Sequence, residues 1–366
     1  MVKMFMTARI LWQYVLRVYA VLVQLHSSLK FNYSGHERRF KPSLWEVMIL
    51  IDIIMTAIGY SSSIALAAAG ITLIYMATGT FNFAHASMTA WGFYIVFAFH
   101  KVFFKGLGNP YMYFPIAMLF SGMLGVISYY FINRWLLKKG ADMTTLMMST
   151  LGIDLIFFAF INTFADFLTY NYKINARLII LRTEDIILGK IAGFPLRAIT
   201  LVSIIIEITI VAILQYILNR TKFGIALRMT IENPSLAAIL GINPDLIYLA
   251  SWFIGGALAG LGGAILSLVY SGTPSIGNVV IVPEFAGSIV GGLYSIFGSL
   301  LGGYLIGMSE YIVINLIGTY VSRNLVVYEP LIPLIAMAVT LLVYPQGLGG
   351  IDWSKVWAKL RGKKEG

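Results

Sequence analysis

Long apolar stretches alternate with short polar segments along most of the chain. A helix needs about 20 apolar residues to cross the hydrocarbon core of a bilayer, and several stretches reach that length. The pattern predicts an all-α polytopic membrane protein with about 8 transmembrane helices, within a range of about 7–10. The stretches cover residues 47–77, 88–99, 111–137, 146–168, 198–218, 248–270 and 287–310, and a last one ends at 344.

The first apolar stretch, 47–77, is too long for one ordinary span, since about 31 residues at 1.5 Å each exceed the hydrocarbon thickness. It is therefore either one long, tilted helix or a broken, re-entrant one. The turn after it contains Gly79, Asn82 and His85. Polar groups beside a glycine break can line a cavity at membrane depth, so Asn82 and His85 are candidates for a translocation pathway. A structural, hydrogen-bonded histidine is the simpler interpretation of His85 alone.

A polar interruption at 220–249 separates two apolar stretches. It contains the dipeptide Asn-Pro twice, at 233–234 and at 243–244. Asn is a preferred N-cap and Pro fits the first helical position, so each dipeptide predicts a helix start. The first predicts a short helix over 234–240 that Gly241 ends in the left-handed conformation. A helix of about seven residues is unstable alone in water, so it is expected to dock on a partner.

Small residues recur at a spacing of four in the second half of the chain. Such spacing lets helix backbones approach closely in lipid, where no hydrophobic force drives helices together. We therefore expect a tightly packed bundle with glycine-rich broken segments. The residues concerned are Gly255, Gly256, Ala259, Gly260, Gly263, Gly287, Gly291, Gly298, Gly302, Gly303 and Gly307.

Composition and charge agree with a membrane protein. Hydrophobic residues make up 59% of the chain and charged residues 11%, against about 25% charged residues in soluble domains. A net charge of +10 is typical of basic loops that orient a membrane protein, and it does not indicate nucleic-acid binding. The sequence contains no cysteine, which rules out disulfide and thiolate chemistry.

Two basic segments flank the predicted transmembrane domain, residues 45–350. Residues 1–44 are predicted to be a basic amphipathic segment. Polar side chains interrupt its apolar residues between 10 and 25, so that part is expected to form a helix in the membrane interface. Residues 351–366 are predicted to form a basic cytoplasmic tail.

Alternation of the loops places 134–145 on the same side as 219–245, with 169–197 on the opposite side. The loop at 271–283 carries no charge, which predicts that its side of the membrane, shared by 169–197, is external. The basic tail favours the same arrangement, whereas the basic residues of 169–197 argue against it. The loop 169–197 is long enough for a small structured cap. The side on which the chain begins is left open.

Two acidic residues, Asp154 and Glu207, lie inside predicted spans. An unpaired charge there costs at least about 2.5–3.5 kcal/mol on insertion scales. Both are therefore expected to be protonated or hydrogen-bonded to a neighbouring helix. Proton-coupled secondary transport could use such residues and is an alternative function. An intramembrane enzyme is a third hypothesis, but the sequence has neither an H-E-x-x-H motif nor a metal-ligand cluster.

Three blocks of the sequence resemble the permease subunits of branched-chain amino-acid ABC transporters, in the same order and with the same spacing. The first block is GITLIYMATGTFNFAHASMTAWGFYIVFAF at 70–99. The second is the polar interruption at 220–249, which resembles the coupling loop of that family. The third is VGGLYSIFGSLLGGYLIGMSE at 290–310, and YPQGL at 344–348 resembles the usual end of the last span.

Four positions depart from the family pattern. Ala86 stands where glycine is common, and Ser87 stands where an acidic residue is common. Tyr294 and Phe297 replace residues that are usually smaller or proline. The resemblance in fold holds despite these departures.

The resemblance implies a transport subunit in the cell membrane that is not an enzyme and has no catalytic residue, cofactor or metal. No G-x-x-x-x-G-K-[ST] phosphate loop is present, so ATP hydrolysis is expected on separate chains. The implied partners are a paralogous permease subunit, two ABC ATPase subunits, an extracytoplasmic solute-binding protein and the lipid bilayer. The implied cargo is leucine, isoleucine or valine, with urea or short amides as an alternative.

Two sets of site residues follow from the resemblance and from the broken segments. The residues expected to couple to the ATPase are Arg228, Glu232, Asn233, Ala237, Ala238 and Gly241. The residues expected along the translocation pathway are Asn82, His85, Gly291 and Gly292.

Overall fold

The computed structural model describes residues 44–106, 108–191 and 194–350, and almost all of its regular structure is helical. The amphipathic segment predicted for 1–44 and the tail predicted for 351–366 lie outside these residues, apart from residue 44. The helices are α1 (Leu44–Thr78), α2 (His85–Phe97), α3 (Phe114–Ser128), α4 (Arg134–Lys138), α5 (Met143–Tyr172), α6 (Ala198–Arg220), α7 (Lys222–Glu232), α8 (Pro234–Ile239), α9 (Pro244–Val269), α10 (Ile276–Gly291), α11 (Ile296–Tyr320) and α12 (Leu331–Val343). One hairpin, β1 (Ile187–Ile191) and β2 (Phe194–Arg197), interrupts the helical pattern.

Seven helical segments among the described residues are long and apolar enough to cross a membrane. This confirms the prediction of a polytopic helical protein. Two shorter apolar helices also run through the bundle: α2, which continues into a π-helical segment, Ala98–Phe103, and α10, which has 16 residues. The first apolar stretch is one continuous helix, because α1 extends over 35 residues, or about 50 Å at 1.5 Å per residue.

Helix α9 lies at the centre of the bundle. In its most apolar stretch 89% of the residues are buried, and it packs against α1, α2 and α3. A Cβ atom added at Gly256 would lie 2.6 Å from the backbone oxygen of Ser121, and one at Gly260 would lie 2.6 Å from that of Ala117. Contacts this close leave no room for a side chain, so the spacing of small residues sets the distance between α9 and α3.

Four carboxyl groups on helices of the bundle each accept a hydrogen bond from a hydroxyl group on another helix. This confirms the expectation for Asp154 and Glu207 and extends it to Glu284 and Glu310, which the sequence analysis did not single out. Such bonds compensate part of the cost of burying a polar group. The pairs are Asp154 with Ser87 (2.6 Å), Glu207 with Ser62 (2.9 Å), Glu284 with Thr89 (3.0 Å) and Glu310 with Tyr60 (3.0 Å).

The loops divide between two ends of the bundle. Asp245, in the first turn of α9, forms ion pairs with Arg134 at 3.0 Å and Lys138 at 3.2 Å, so the end of α4 and the start of α9 are neighbours. We call this end, which also carries α7 and α8, the inner end. The hairpin lies at the opposite, outer end. There Arg182 pairs with Asp52 near the start of α1 at 3.2 Å.

Candidate functional site

The short helix α8 forms as the sequence predicts. The side-chain oxygen of Asn233 accepts a hydrogen bond from the backbone N–H of Leu236 at 3.0 Å, which caps the helix start. The helix ends before Gly241, whose φ of +85° lies in the left-handed region. The N–H of Ile242 then donates to the carbonyl of Ala237 at 3.0 Å and closes the end of the helix.

Helix α7 is an additional element that the sequence analysis missed. It begins at a cap in which Thr221 accepts a hydrogen bond from the N–H of Gly224 at 3.4 Å. Gly224, Leu227 and Thr230 are buried at a spacing of three, and Lys222, Arg228 and Glu232 lie on exposed positions. This spacing indicates an amphipathic helix, and the sequence alone could have predicted it from a helix start at Thr221.

Together, α7 and α8 present an exposed apolar surface at the inner end. We call it the inner apolar surface and define it by Ile225, Leu236, Ile239 and Leu240, of which Ile239 is 82% exposed. Exposed apolar side chains on a polar, capped connection are a candidate contact site for another protein.

The residues expected to contact the ATPase do not all lie on this surface. Arg228, Glu232, Asn233, Ala238 and Gly241 are exposed. The remaining one, at position 237, is an alanine that is 1% exposed and faces the bundle. Its methyl group therefore holds α8 in place and is not available for contact with a partner.

Arg228 joins α7 to the end of α6. Its Nη1 donates a hydrogen bond to the backbone oxygen of Leu218 at 2.6 Å. Gly224 packs against the same turn, and a Cβ there would lie 2.7 Å from the backbone oxygen of Ile217. A guanidinium group at a helix C-terminus satisfies a free carbonyl group and favours the helix dipole.

The pathway candidates Asn82 and His85 are fully buried in this conformation. The Oδ1 of Asn82 accepts a hydrogen bond from the N–H of Ala84 at 3.1 Å, and the Nε2 of His85 lies 2.9 Å from the backbone oxygen of Ala67. Both side chains therefore hold the turn between α1 and α2. The Nδ1 of His85 has no partner among the described residues.

Gly291 and Gly292 form the break between α10 and α11. Gly292 has a φ of +103°, and a Cβ there would lie 2.7 Å from the backbone oxygen of Gln346. Gly291 lies directly against the backbone of Gly298 and the next residue. Ser295 then caps α11 by accepting the N–H of Gly298 at 3.0 Å. Only glycine fits at this turn, against which residues 346–349 pack.

One loop turn at the outer end contacts several helices at once. Glu184 pairs with Lys101 at 2.5 Å, and Asp185 accepts hydrogen bonds from the hydroxyl of Tyr111 and, at 3.2 Å, from the N–H of Ile199. The hydrogen bond from Lys101 lowers the pKa of the Glu184 carboxyl below its usual value. None of these loop residues belongs to the predicted site. Among the described residues, no group of three or more His, Asp or Glu could hold a metal ion.

Replacing Gly241 with valine is expected to weaken contact with an ATPase partner. A β-branched residue at φ +85° is strained by about 1–3 kcal/mol, which disturbs the end of α8. Copurification of the ATPase with wild type and variant measures the effect. Gly140→Val is the matched control, because Gly140 has a φ of +72° and open space in another loop at the inner end. Equal copurification with both variants would contradict this prediction.

The chain is similar to known proteins over most of its length. The family model for the branched-chain amino acid transport system permease component matches residues 53–343. The probable branched-chain amino acid transport permease protein of Methanocaldococcus jannaschii is 36% identical over 304 residues, which cover 83% of this chain and 94% of the relative.

Two bacterial proteins are similar over the same share of the chain. The high-affinity branched-chain amino acid transport system permease protein of Escherichia coli is 24% identical, and that of Pseudomonas aeruginosa is 25% identical. Each alignment covers 315 residues, 83% of this chain and 97% of the relative. No solved structure matches the chain.

The seven apolar helices of the described residues and the similarity to permeases indicate a multi-pass protein of the cell membrane. A family match of this length, together with relatives that align over nearly their whole length, establishes membership. The chain belongs to the family of permease components of branched-chain amino acid transport systems.

Proposed function

We propose that the chain is a transmembrane subunit of an ABC importer that moves branched-chain amino acids into the cell while separate subunits hydrolyse ATP. Family membership and the names of the relatives support the cargo. The observation that carries the ATPase part of the proposal is the inner apolar surface, where Ile239 is 82% exposed on a helix too short to be stable unsupported. The inner end then faces the cytoplasm.

The proposed partners are two ATPase subunits at the inner end, a paralogous permease beside the chain and a solute-binding protein at the outer end. Helices α6 and α12 support a lateral partner, because only 11% of the residues in the most apolar stretch of each are buried. Their exposed apolar side chains face lipid or the second permease. The transmembrane permease domain is proposed to comprise residues 45–350.

In the proposed cycle, closure of the ATPases on ATP presses on α7 and α8 and moves the bundle between outward- and inward-facing states. The exposed coupling residues Arg228, Glu232, Asn233, Ala238 and Gly241 surround the contact. The pathway is proposed to open at the two breaks that carry Asn82 and His85, and Gly291 and Gly292. Irregular backbone at membrane depth is tolerated where it is packed in protein or lines a cavity.

The purified chain in proteoliposomes is expected to show neither ATPase activity nor uptake of labelled leucine. Addition of the ATPase, second permease and solute-binding protein is expected to produce ATP-dependent uptake. Competition by unlabelled leucine, isoleucine and valine, against urea and acetamide, tests the cargo. Preference for urea or acetamide would overturn the assignment to amino acids.

Uptake by the lone chain, driven only by a proton gradient, would overturn the proposal and favour secondary transport. Asp154→Asn and Glu207→Gln serve as an additional arm of the same assay. An amide oxygen can still accept the hydrogen bond from Ser87 or Ser62, so uptake is expected to continue. Loss of uptake in an assembled complex would favour proton coupling.

A further inference from the structure

We propose that α6 transmits the motion of α7 and α8 to the outer end of the bundle, with Arg228 and Asp185 as positioning residues at its two ends. This inference rests on the proposed function, because it requires ATPase subunits that move α7 and α8. It adds a defined route and two residues whose roles can be tested separately.

A charged side chain from a different element holds each end of α6. At the outer end, the carboxyl group of Asp185 accepts the N–H of Ile199, in the first turn of the helix, at 3.2 Å. At the inner end, the guanidinium group of Arg228 donates to the carbonyl of Leu218, in the last turn, at 2.6 Å. Acceptors at a helix start and cations at a helix end match both the free backbone groups and the helix dipole.

Asp185 is well placed to hold the outer joint, by which we mean its hydrogen bond with the N–H of Ile199. Burial raises the pKa of its carboxyl group, while the hydrogen bonds from Tyr111 and from the backbone lower it. The bond to Ile199 needs only a carboxyl oxygen as acceptor, so it is available in either protonation state. The joint therefore depends on the geometry of the carboxyl group.

One flank of α6 packs against the bundle, where Ile199 and Leu214 join the buried core, and much of its remaining surface is exposed. Only 11% of the residues in its most apolar stretch are buried, against 89% for α9. Two hydrogen bonds connect its flank to α1, from Ser62 to Glu207 at 2.9 Å and from Thr200 to the carbonyl of Met55 at 3.4 Å. A shift of α6 would therefore disturb fewer buried contacts than a shift of α9.

The inner joint is the contact between the start of α7 and the last turn of α6, where Arg228 bonds Leu218. It transmits force by direct backbone contact as well as by this hydrogen bond. Gly224 brings the start of α7 against the last turn of α6, where a Cβ would overlap the backbone oxygen of Leu218. Because packed backbones cannot interpenetrate, displacement of α7 towards the membrane must move the end of α6. Asn233 joins α7 directly to α8, so both helices that carry the inner apolar surface act on this joint.

The outer joint belongs to a turn that binds other helices, which we call the outer clamp and define by Arg182, Glu184 and Asp185. Arg182 pairs with Asp52 of α1 at 3.2 Å, and Glu184 pairs with Lys101 after α2 at 2.5 Å. Asp185 also accepts the hydroxyl of Tyr111 just before α3. A shift of α6 therefore acts on one turn that holds the outer ends of three other helices, which is where substrate would enter.

A distance measurement at the outer end tests the proposal in the assembled complex. The chain contains no cysteine, so Leu188→Cys, beside the outer clamp, and Val327→Cys, between α11 and α12 and outside the clamp, can be spin-labelled specifically; both side chains are exposed, at 54% and 80%. Trapping the complex with ATP and vanadate is expected to change the distance between the two labels, measured by electron paramagnetic resonance. Only complexes that contain the ATPase subunits at wild-type stoichiometry are compared.

Arg228→Gln is expected to abolish most of that distance change, because it removes the bond to Leu218. Arg220→Gln is the matched control: it removes the same charge from the neighbouring turn, and Arg220 has no hydrogen-bond or ion-pair partner among the described residues. The control is expected to keep the change. Equal loss in both variants, or retention in both, would overturn the proposal.

A second label and a second variant separate this inference from the proposed function. A label at Lys222→Cys reports movement at the inner end. If it moves in the trapped wild-type complex while the outer pair does not, the inference is overturned and the proposed function stands. If no ATPase binds the wild-type chain, both are overturned. Asp185→Ala is expected to keep the inner movement and lose the outer change; retention of the outer change would contradict the role of Asp185.

Discussion

Leucine in place of Gly260 or Gly291 is expected to prevent assembly of the transmembrane bundle. A Cβ at Gly260 would lie 2.5 Å from that of Ser121 and 2.6 Å from the backbone oxygen of Ala117, and one at Gly291 would overlap the backbone of Gly298. Overpacking a well-packed core usually costs about 1–3 kcal/mol, and a clash with rigid backbone costs more than one with a flexible side chain. Each variant is therefore expected to lose most of its folded yield.

The measurement is the monodisperse fraction of detergent-extracted protein in size-exclusion chromatography, together with its thermal stability. Gly152→Leu is the matched control, because Gly152 lies in the span α5 with nothing within 4 Å of an added Cβ. It is expected to assemble like wild type. Normal assembly of the Gly260 and Gly291 variants would show that close backbone approach does not determine the packing of this half.

Glutamate in place of Ile239 is expected to abolish stable binding of the ATPase. This side chain is 82% exposed, so its replacement should change the free energy of unfolding by less than about 0.5 kcal/mol. A charge buried without a partner in an interface costs several kcal/mol. Every 1.4 kcal/mol corresponds to about a tenfold loss of affinity, so binding should fall at least tenfold.

Copurification and titration of the ATPase onto the reconstituted chain measure this effect. Ile187→Glu is the control: it makes the same substitution at a site 58% exposed in the outer hairpin. It should bind the ATPase normally. Equal binding by both variants would show that the inner apolar surface does not carry the contact, and the proposed arrangement of the ATPase would have to change.

Both predictions concern places where the local sequence and the folded structure agree. The cap at Asn233, the stop at Gly241 and the start of α9 at Pro244 depend on residues within four positions of one another. Such local interactions are determined by short-range geometry, which the order of residues specifies directly. The lengths of the apolar stretches depend in the same way on composition alone.

For the residues expected along the pathway, the sequence predicts their place at a helix break but not their burial. The sequence correctly marks Asn82 and His85 as polar groups at a helix break, but their partners lie in their own turn and on α1, and both side chains are fully buried. Burial depends on which helices surround the turn. Their proposed exposure during transport therefore requires another conformation, and so does that of Gly291 and Gly292, which are also buried.

The sequence by itself determined the class of the protein, the approximate number of spans, the capped helix at 234–239 and the family, because apolar length, capping residues and motif blocks are local properties. Only the tertiary structure decided that Ala237 faces inward, that Glu207 bonds Ser62 145 positions away, and that one turn at 182–185 holds the outer ends of several helices. These contacts join residues distant in the chain. Their geometry follows from how closely the glycine-bearing helices pack around α9, and the periodicity of a single helix contains no information about which neighbour it will meet.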